Sequence, residues 1–299
     1  MRSAATRAAV GLTAVVALTF TAVALAVPTG LDDIDVEAGG DATFDYGFDY
    51  GCTDGTSSSS GDAFYSVEDG SIGASSDAFD GALVLYVGDT PFTLPGGMAD
   101  LTGQQVRAGP RRLEGLKVTR IDRGLPGSPT LRALVKLQNT KKRKAVRRRI
   151  TLDTEYGSDS TTFVRATSNG DVRFNRKDRW GIVGDSDGET FGDPVVTLVN
   201  YGKGKVLRPD LQIGPFSGGD GVDGADCALV GFPVRVPPRS ARYLMFFLEL
   251  NEDLTGAIPG TQKFNRKRLS PALKAGMSKK LQRKVLNWDL VKKKNKKKR

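Results

Sequence analysis

The sequence predicts an all-β protein, an antiparallel sandwich built as one unit or as two packed sandwich units. Three observations carry that expectation. Short runs rich in Val, Ile, Leu and Thr recur along the chain, Gly, Pro, Asn and Asp punctuate them, and no strong helical periodicity lies between them. The 36 glycines fit a turn-rich chain, and the length suffices for a substantial core.

Taken in order, the first residues place Arg2 and Arg7 before an uncharged apolar run from Ala8 to Ala26. That is the pattern of an export signal with small residues, Ala24 and Ala26, at the cleavage positions. Residues 1–26 are therefore expected to be a signal peptide, and the mature chain is expected to be extracytoplasmic, with no transmembrane segment. Residues 27–61 form an Asp-, Gly- and Ser-rich segment in which Phe44, Tyr46, Phe48 and Tyr50 alternate with Asp45, Gly47 and Asp49. On a strand this puts four aromatics on one face, which reads either as a cover for the core or as a glycan-stacking strip centred on Tyr46 and Tyr50.

Residues 62–260 are expected to form the sandwich body. Its strands are predicted at Ala82–Val87, Gln104–Arg107, Leu116–Ile121, Thr130–Gln138, Arg147–Thr154, Thr161–Thr167, Val195–Val199, Val230–Val236 and Tyr243–Leu250. In residues 261–290 the pattern changes. Leu269, Leu273, Met277, Leu281, Val285 and Leu286 recur at helical spacing, which predicts a helix from about Pro271 to Asn287 with Gly276 as its weak point. Residues 291–299 are a Lys-rich tail expected to be unstructured.

Charge is distributed unevenly. The net charge is +10, yet residues 263–299 hold sixteen Lys or Arg against Asp289, a net +15, and the two arginines of the leader add +2. Residues 27–262 therefore carry −7. An acidic body with a basic end points to electrostatic attachment to anionic polymers or lipid headgroups. Nucleic acid is not expected as a partner of an exported chain.

The sequence contains no histidine. That excludes Ser-His-Asp and Cys-His catalysis, His-ligated zinc and His proton relays. Two cysteines, Cys52 and Cys227, are expected to pair in an oxidising compartment, closing a loop worth roughly 5 kcal/mol on the chain-entropy model.

Candidate chemistry is confined to charged loops. Asp185, Asp187, Glu189 and Asp193 alternate around Gly188 as a calcium loop does, without the full ligand spacing, so calcium is the one cofactor the sequence raises. Lys141, Lys142, Arg143, Lys144 and Arg147 fall between two strands and read as a solvated hairpin tip or a polyanion patch. The tail adds Lys292, Lys293, Lys294, Lys296, Lys297, Lys298 and Arg299. Many acids are present, but spacing nominates no facing pair for glycoside hydrolysis, and no residue is assigned as catalytic.

From Asp77 to Trp288 the chain resembles an uncharacterised β-sandwich domain that recurs in large secreted bacterial proteins. The residues carrying the resemblance are Asp77-Ala78-Phe79-Asp80-Gly81-Ala82-Leu83, Leu116-Lys117-Val118-Thr119-Arg120, Leu137-Gln138-Asn139 and Gly157-Ser158-Asp159-Ser160-Thr161-Thr162. They continue through Ala166-Thr167-Ser168-Asn169-Gly170-Asp171, Asp178-Arg179-Trp180, Gly192-Asp193-Pro194 and Val285-Leu286-Asn287-Trp288. The resemblance implies an extracellular scaffold or adhesion context and carries no catalytic residues. The expected function is a non-enzymatic, envelope-associated domain, with a carbohydrate-binding or carbohydrate-active protein as the alternative.

Overall fold

A computed structural model describes residues 26–48, 52, 62–157, 162–185, 192–214 and 227–291. The chain begins with β1 (Val27–Gly30), β2 (Asp35–Glu37), β3 (Ala42–Gly47), β4 (Asp62–Phe64), β5 (Ser66–Ile72) and β6 (Gly81–Val87). It continues with β7 (Thr90–Pro91), β8 (Thr93–Pro95), β9 (Met98–Thr102), β10 (Gln105–Leu113), β11 (Leu116–Leu125), β12 (Thr130–Asn139) and β13 (Val146–Glu155). The last strands are β14 (Thr162–Thr167), β15 (Trp180–Asp185), β16 (Val195–Val199), β17 (Leu211–Ile213), β18 (Cys227–Val236) and β19 (Ser240–Asn251). Two short helices follow, α1 (Leu254–Gly260) and α2 (Lys279–Gln282).

The fold is an all-β sandwich. A nine-stranded sheet runs β1-β9-β10-β11-β12-β19-β16-β15-β14, and an eight-stranded sheet runs β17-β18-β13-β6-β5-β3-β2 with β7 paired to β6. The pairings between these strands are antiparallel, and each predicted strand has a counterpart in them. Alternation explains how the layers meet. On β19, Leu244, Phe246, Leu248 and Leu250 face inward with Leu131, Ala133, Val135 and Leu137 of β12, and the eight-stranded sheet closes over them with Leu85, Ile150, Leu152, Phe232 and Val234.

The other face of the nine-stranded sheet is also apolar. Met245 and Phe247 alternate with the inward residues and, with Leu134, Trp180, Ile182 and Val199, form a second core. Residues 254–290 cover it through Ala257, Phe264, Leu269, Leu273, Met277, Val285, Trp288 and Leu290. This third layer departs from the single helix expected over Pro271 to Asn287. Gly276 takes φ +75°, which ends the helical path, leaving a 3-10 turn at Ala272–Lys274 and the one-turn helix α2. The apolar spacing survives because each residue still reaches the sheet, while the backbone is held by sheet contacts in place of its own ladder. Asn287 shows how: it is fully buried, accepts from the Met245 N–H at 3.0 Å and donates to the Met245 carbonyl at 2.7 Å.

Cys52 and Cys227 form the expected disulfide, with Cα atoms 5.5 Å apart. The aromatic strip is resolved by the fold. Phe44 and Tyr46 point into the main core and Tyr46 is 2% exposed, so Tyr46 is no glycan platform; Tyr50 lies outside the described residues. The alternating acids take the opposite face, where the register sets Asp45 of β3 across from Asp35 of β2 and Asp69 of β5.

Burial first, and then Asp35 and Asp69, push the Asp45 carboxyl from 3.8 to about 6. The folded state thus holds this proton more tightly than the unfolded chain. Its contribution favours folding at low pH and turns increasingly against it as pH rises from about 4 to about 6. Unfolding measured across that window should show stability falling with pH, and Asp45→Asn should flatten the fall; an unchanged slope in the variant would refute the assignment.

Candidate functional site

Two charged constellations are enclosed by the fold. Arg120 and Asp122 lie on the inward face of β11, both fully buried, with Arg120 Nε 2.8 Å from Asp122 Oδ2. The same oxygen accepts from the Tyr46 and Tyr65 hydroxyls, each at 3.1 Å, and Arg120 donates to the Leu83 carbonyl and lies over the Tyr65 ring at 4.6 Å. Burial and then the Asp122 charge hold both tyrosines protonated, as donors. On the outer face, Glu249 of β19 is 2% exposed, pairs with Lys263 and accepts from Thr130 Oγ1 at 3.1 Å. It clips the C-terminal layer to the sheet.

An open hollow of about 170 Å³ lies beside β15 and β16, lined by Ala78, Tyr156, Val183, Gly184, Asp193, Pro194 and Val196. Among the described residues of that lining Asp193 is the one carboxylate. Of the calcium candidates, Asp185 ends β15, Asp193 precedes β16 and is partly exposed, and Asp187 and Glu189 lie outside the described residues. Among the described residues no group of three or more acidic or Cys side chains is arranged to hold a metal ion.

The basic hairpin between β12 and β13 is a built feature. Asn139, fully buried, donates to the Lys144 carbonyl at 2.9 Å and the Val236 carbonyl at 3.0 Å, and accepts from the Lys141 N–H at 2.9 Å. This one amide fixes the loop and ties it to the end of β18. The next turn is joined to it as well, because the Arg239 N–H donates to the Lys141 carbonyl at 3.2 Å. Lys141, Lys142, Arg143, Lys144 and Arg147 are consequently held exposed at one end of the sandwich. Sequence reasoning missed that Arg235 pairs with Arg147 across β18 and β13, adding charge from a distant segment.

Two of the acids at this end are engaged by neighbouring arginines, while Asp89 is exposed in the turn between β6 and β7. Glu114 pairs with Arg148 at 3.0 Å, and Asp210 pairs with Arg149 at 3.0 Å. The five hairpin cations make no ion pair among the described residues. The opposite end of β19 runs into Glu252 and Asp253, and Leu250 there touches Gly70, beside Asp69. The hairpin end, where β19 begins, is therefore basic, whereas the end of β19 carries Glu249, Glu252 and Asp253 together with the cation Lys263. Residues 292–299 lie outside the described residues.

No family model matches this chain. No curated protein matches it either. Among solved structures it is similar to a protein described as a kojibiose phosphorylase from human microbiome, at 10% identity and a TM-score of 0.29. The match covers 74% of this chain and 28% of that one. Among the described residues no helix is long and apolar enough to cross a membrane.

Proposed function

We propose that the chain is an exported, non-enzymatic β-sandwich protein retained electrostatically on anionic polymers or lipid headgroups of a cell envelope. The observation that supports this reading most is the exposed basic hairpin end of the body. Lys141, Lys142, Arg143, Lys144 and Arg147 are presented together at one end of the sandwich without an ion-pair partner among the described residues. Such a charge distribution orients the body toward an anionic surface and raises its encounter rate. The Lys292 to Arg299 tail adds seven charges in eight residues, in a segment that follows the packed third layer. The scaffold or adhesion context implied by the sequence resemblance is compatible with that role. Of the two tyrosines named for glycan stacking, Tyr46 is in the core and Tyr50 lies outside the described residues.

The test is cosedimentation of residues 27–299 with isolated cell envelopes over a salt series, beside a version ending at Val291. Ending the chain there keeps the third layer intact, because Leu290 and Val291 are the last described residues packed in the second core. The full chain should bind at low salt and be released by roughly 0.5 M salt, where the screening length is ~4 Å. The shorter version should bind more weakly but measurably, through the hairpin end. Binding that is indifferent to salt in both versions would sink the proposal and point to recognition of a neutral glycan.

A further inference from the structure

Away from the hairpin, the outer face of the nine-stranded sheet gathers a second set of cations that are remote in sequence. Lys136 of β12 sits between Thr119 of β11 and Tyr243 of β19 in the register. Lys117 lies on the same face of β11, two residues from Thr119 and so ~7 Å along the strand. Lys284 reaches the same place from the third layer, since the Tyr243 N–H donates to its carbonyl at 3.1 Å. Arg107 of β10, across from Ile121, borders the group.

Lys117, Lys136 and Lys284 make no ion pair among the described residues. The Tyr243 hydroxyl makes no hydrogen bond among them, and burial raises its pKa, so it remains a donor. The acid that comes nearest in register is Asp100, which faces Arg107 at the rim without forming an ion pair with it. Burial, followed by Arg107, Lys117 and Lys284, lowers the pKa of Lys136. Like charges held together in this way oppose folding, and an anion placed among them relieves the repulsion.

We propose that Lys117, Lys136, Lys284 and the Tyr243 hydroxyl form a seat for one phosphodiester group of a linear anionic polymer. The inference rests on the retention reading and names its ligand chemistry. Three ammonium groups and a hydroxyl donor suit phosphate as point charges, without the planar fork that arginine offers a carboxylate. A run of repeated phosphates also extends from this seat toward Arg107 on the same face.

The experiment measures binding of the full chain to poly(glycerol phosphate) over a salt series, for the unaltered protein, Lys136→Gln, Lys117→Gln/Lys136→Gln and Lys205→Gln. Lys205 is exposed in the loop before β17, so its variant makes the same charge change elsewhere. Lys136→Gln should weaken binding about tenfold and reduce the salt slope by about one, with a larger loss in the double variant and less than about twofold in Lys205→Gln. Equal losses in Lys136→Gln and Lys205→Gln would overturn the seat. So would equally strong, equally Lys136-dependent binding to vesicles of equimolar phosphatidylglycerol and phosphatidylcholine, which would make a membrane the partner. If the unaltered protein is retained on envelopes but does not bind the polymer, the seat is wrong and the retention reading stands. If it does neither, both fall.

Discussion

Replacing Arg120 by Ala is expected to destabilise the fold by about 3–5 kcal/mol, because it leaves the Asp122 carboxylate buried without its counter-charge. The pair sits where the two sheets close, both side chains fully buried and 2.8 Å apart. Asp122 Oδ2 keeps only two neutral donors, Tyr46 and Tyr65, once the guanidinium is gone. Arg120 also spans the sandwich, donating to the Tyr65 and Leu83 carbonyls of β5's approach and β6, so its removal strands acceptors on the facing sheet. Equilibrium unfolding in urea should show the loss as a lower midpoint with little change in slope. Tyr46→Phe and Tyr65→Phe should each cost about 1 kcal/mol, since each removes one hydrogen bond and leaves the ion pair. A loss below about 1 kcal/mol in Arg120→Ala would refute the role given to the buried ion pair. The double variant Arg120→Met/Asp122→Leu separates charge from packing, and should recover most of the stability lost by Arg120→Ala.

Trp288→Ala should cost about 3–5 kcal/mol as well, through the second core. Trp288 is 4% exposed, its ring meets Phe247 edge-on at 5.4 Å, and its Nε1 donates to the Met245 carbonyl at 2.7 Å. It closes against Gly202, where an added Cβ would come within 2.5 Å of the ring. Only glycine leaves that space, so Gly202→Ala should be destabilising by overpacking at the same contact. The cost of Trp288→Ala, read by thermal or urea unfolding, tests whether the third layer belongs to the cooperative unit. A separate, earlier transition in the variant, with the main transition unmoved, would show that residues 254–290 unfold independently. Removing this layer by ending the chain at Gly260 would expose Met245, Phe247 and Trp180 to water.

Period-2 patterning and turn residues suffice to place nine of the strands between Gly81 and Asn251, because those segments bury one or both faces and carry β-branched and apolar residues in alternation. The strands that patterning misses are the ones it has least to work with. Ser66–Ile72 contains Glu68, Asp69 and Gly70, and Trp180–Asp185 contains two glycines, yet each is held by cross-strand pairing on both sides, β5 with β3 and β6, and β15 with β14 and β16. Local propensity opposes them and tertiary pairing prevails.

The third layer shows the reverse error. Leu273, Met277 and Leu281 have helical spacing, but the same spacing also arises when an irregular segment drops side chains at intervals into a sheet, and Gly276, at φ +75°, takes the second path. Of the candidate surface, the hairpin cations and the polybasic tail are adjacent in sequence and so could be named from it. Lys117, Lys136 and Lys284 could not, because what brings them together is the β11–β12–β19 register and the docking of the last layer.

By itself, then, the sequence determined the all-β class, the disulfide pairing, the exclusion of histidine chemistry and the separation of an acidic body from a basic end, since each depends on composition or local alternation. The tertiary structure alone decided that Tyr46 faces inward to Asp122, that the nine-stranded sheet is covered on both faces, and that distant lysines share one surface. Those outcomes depend on which strand lies beside which, a choice set by burying apolar area from the whole chain at once, and no local window contains it.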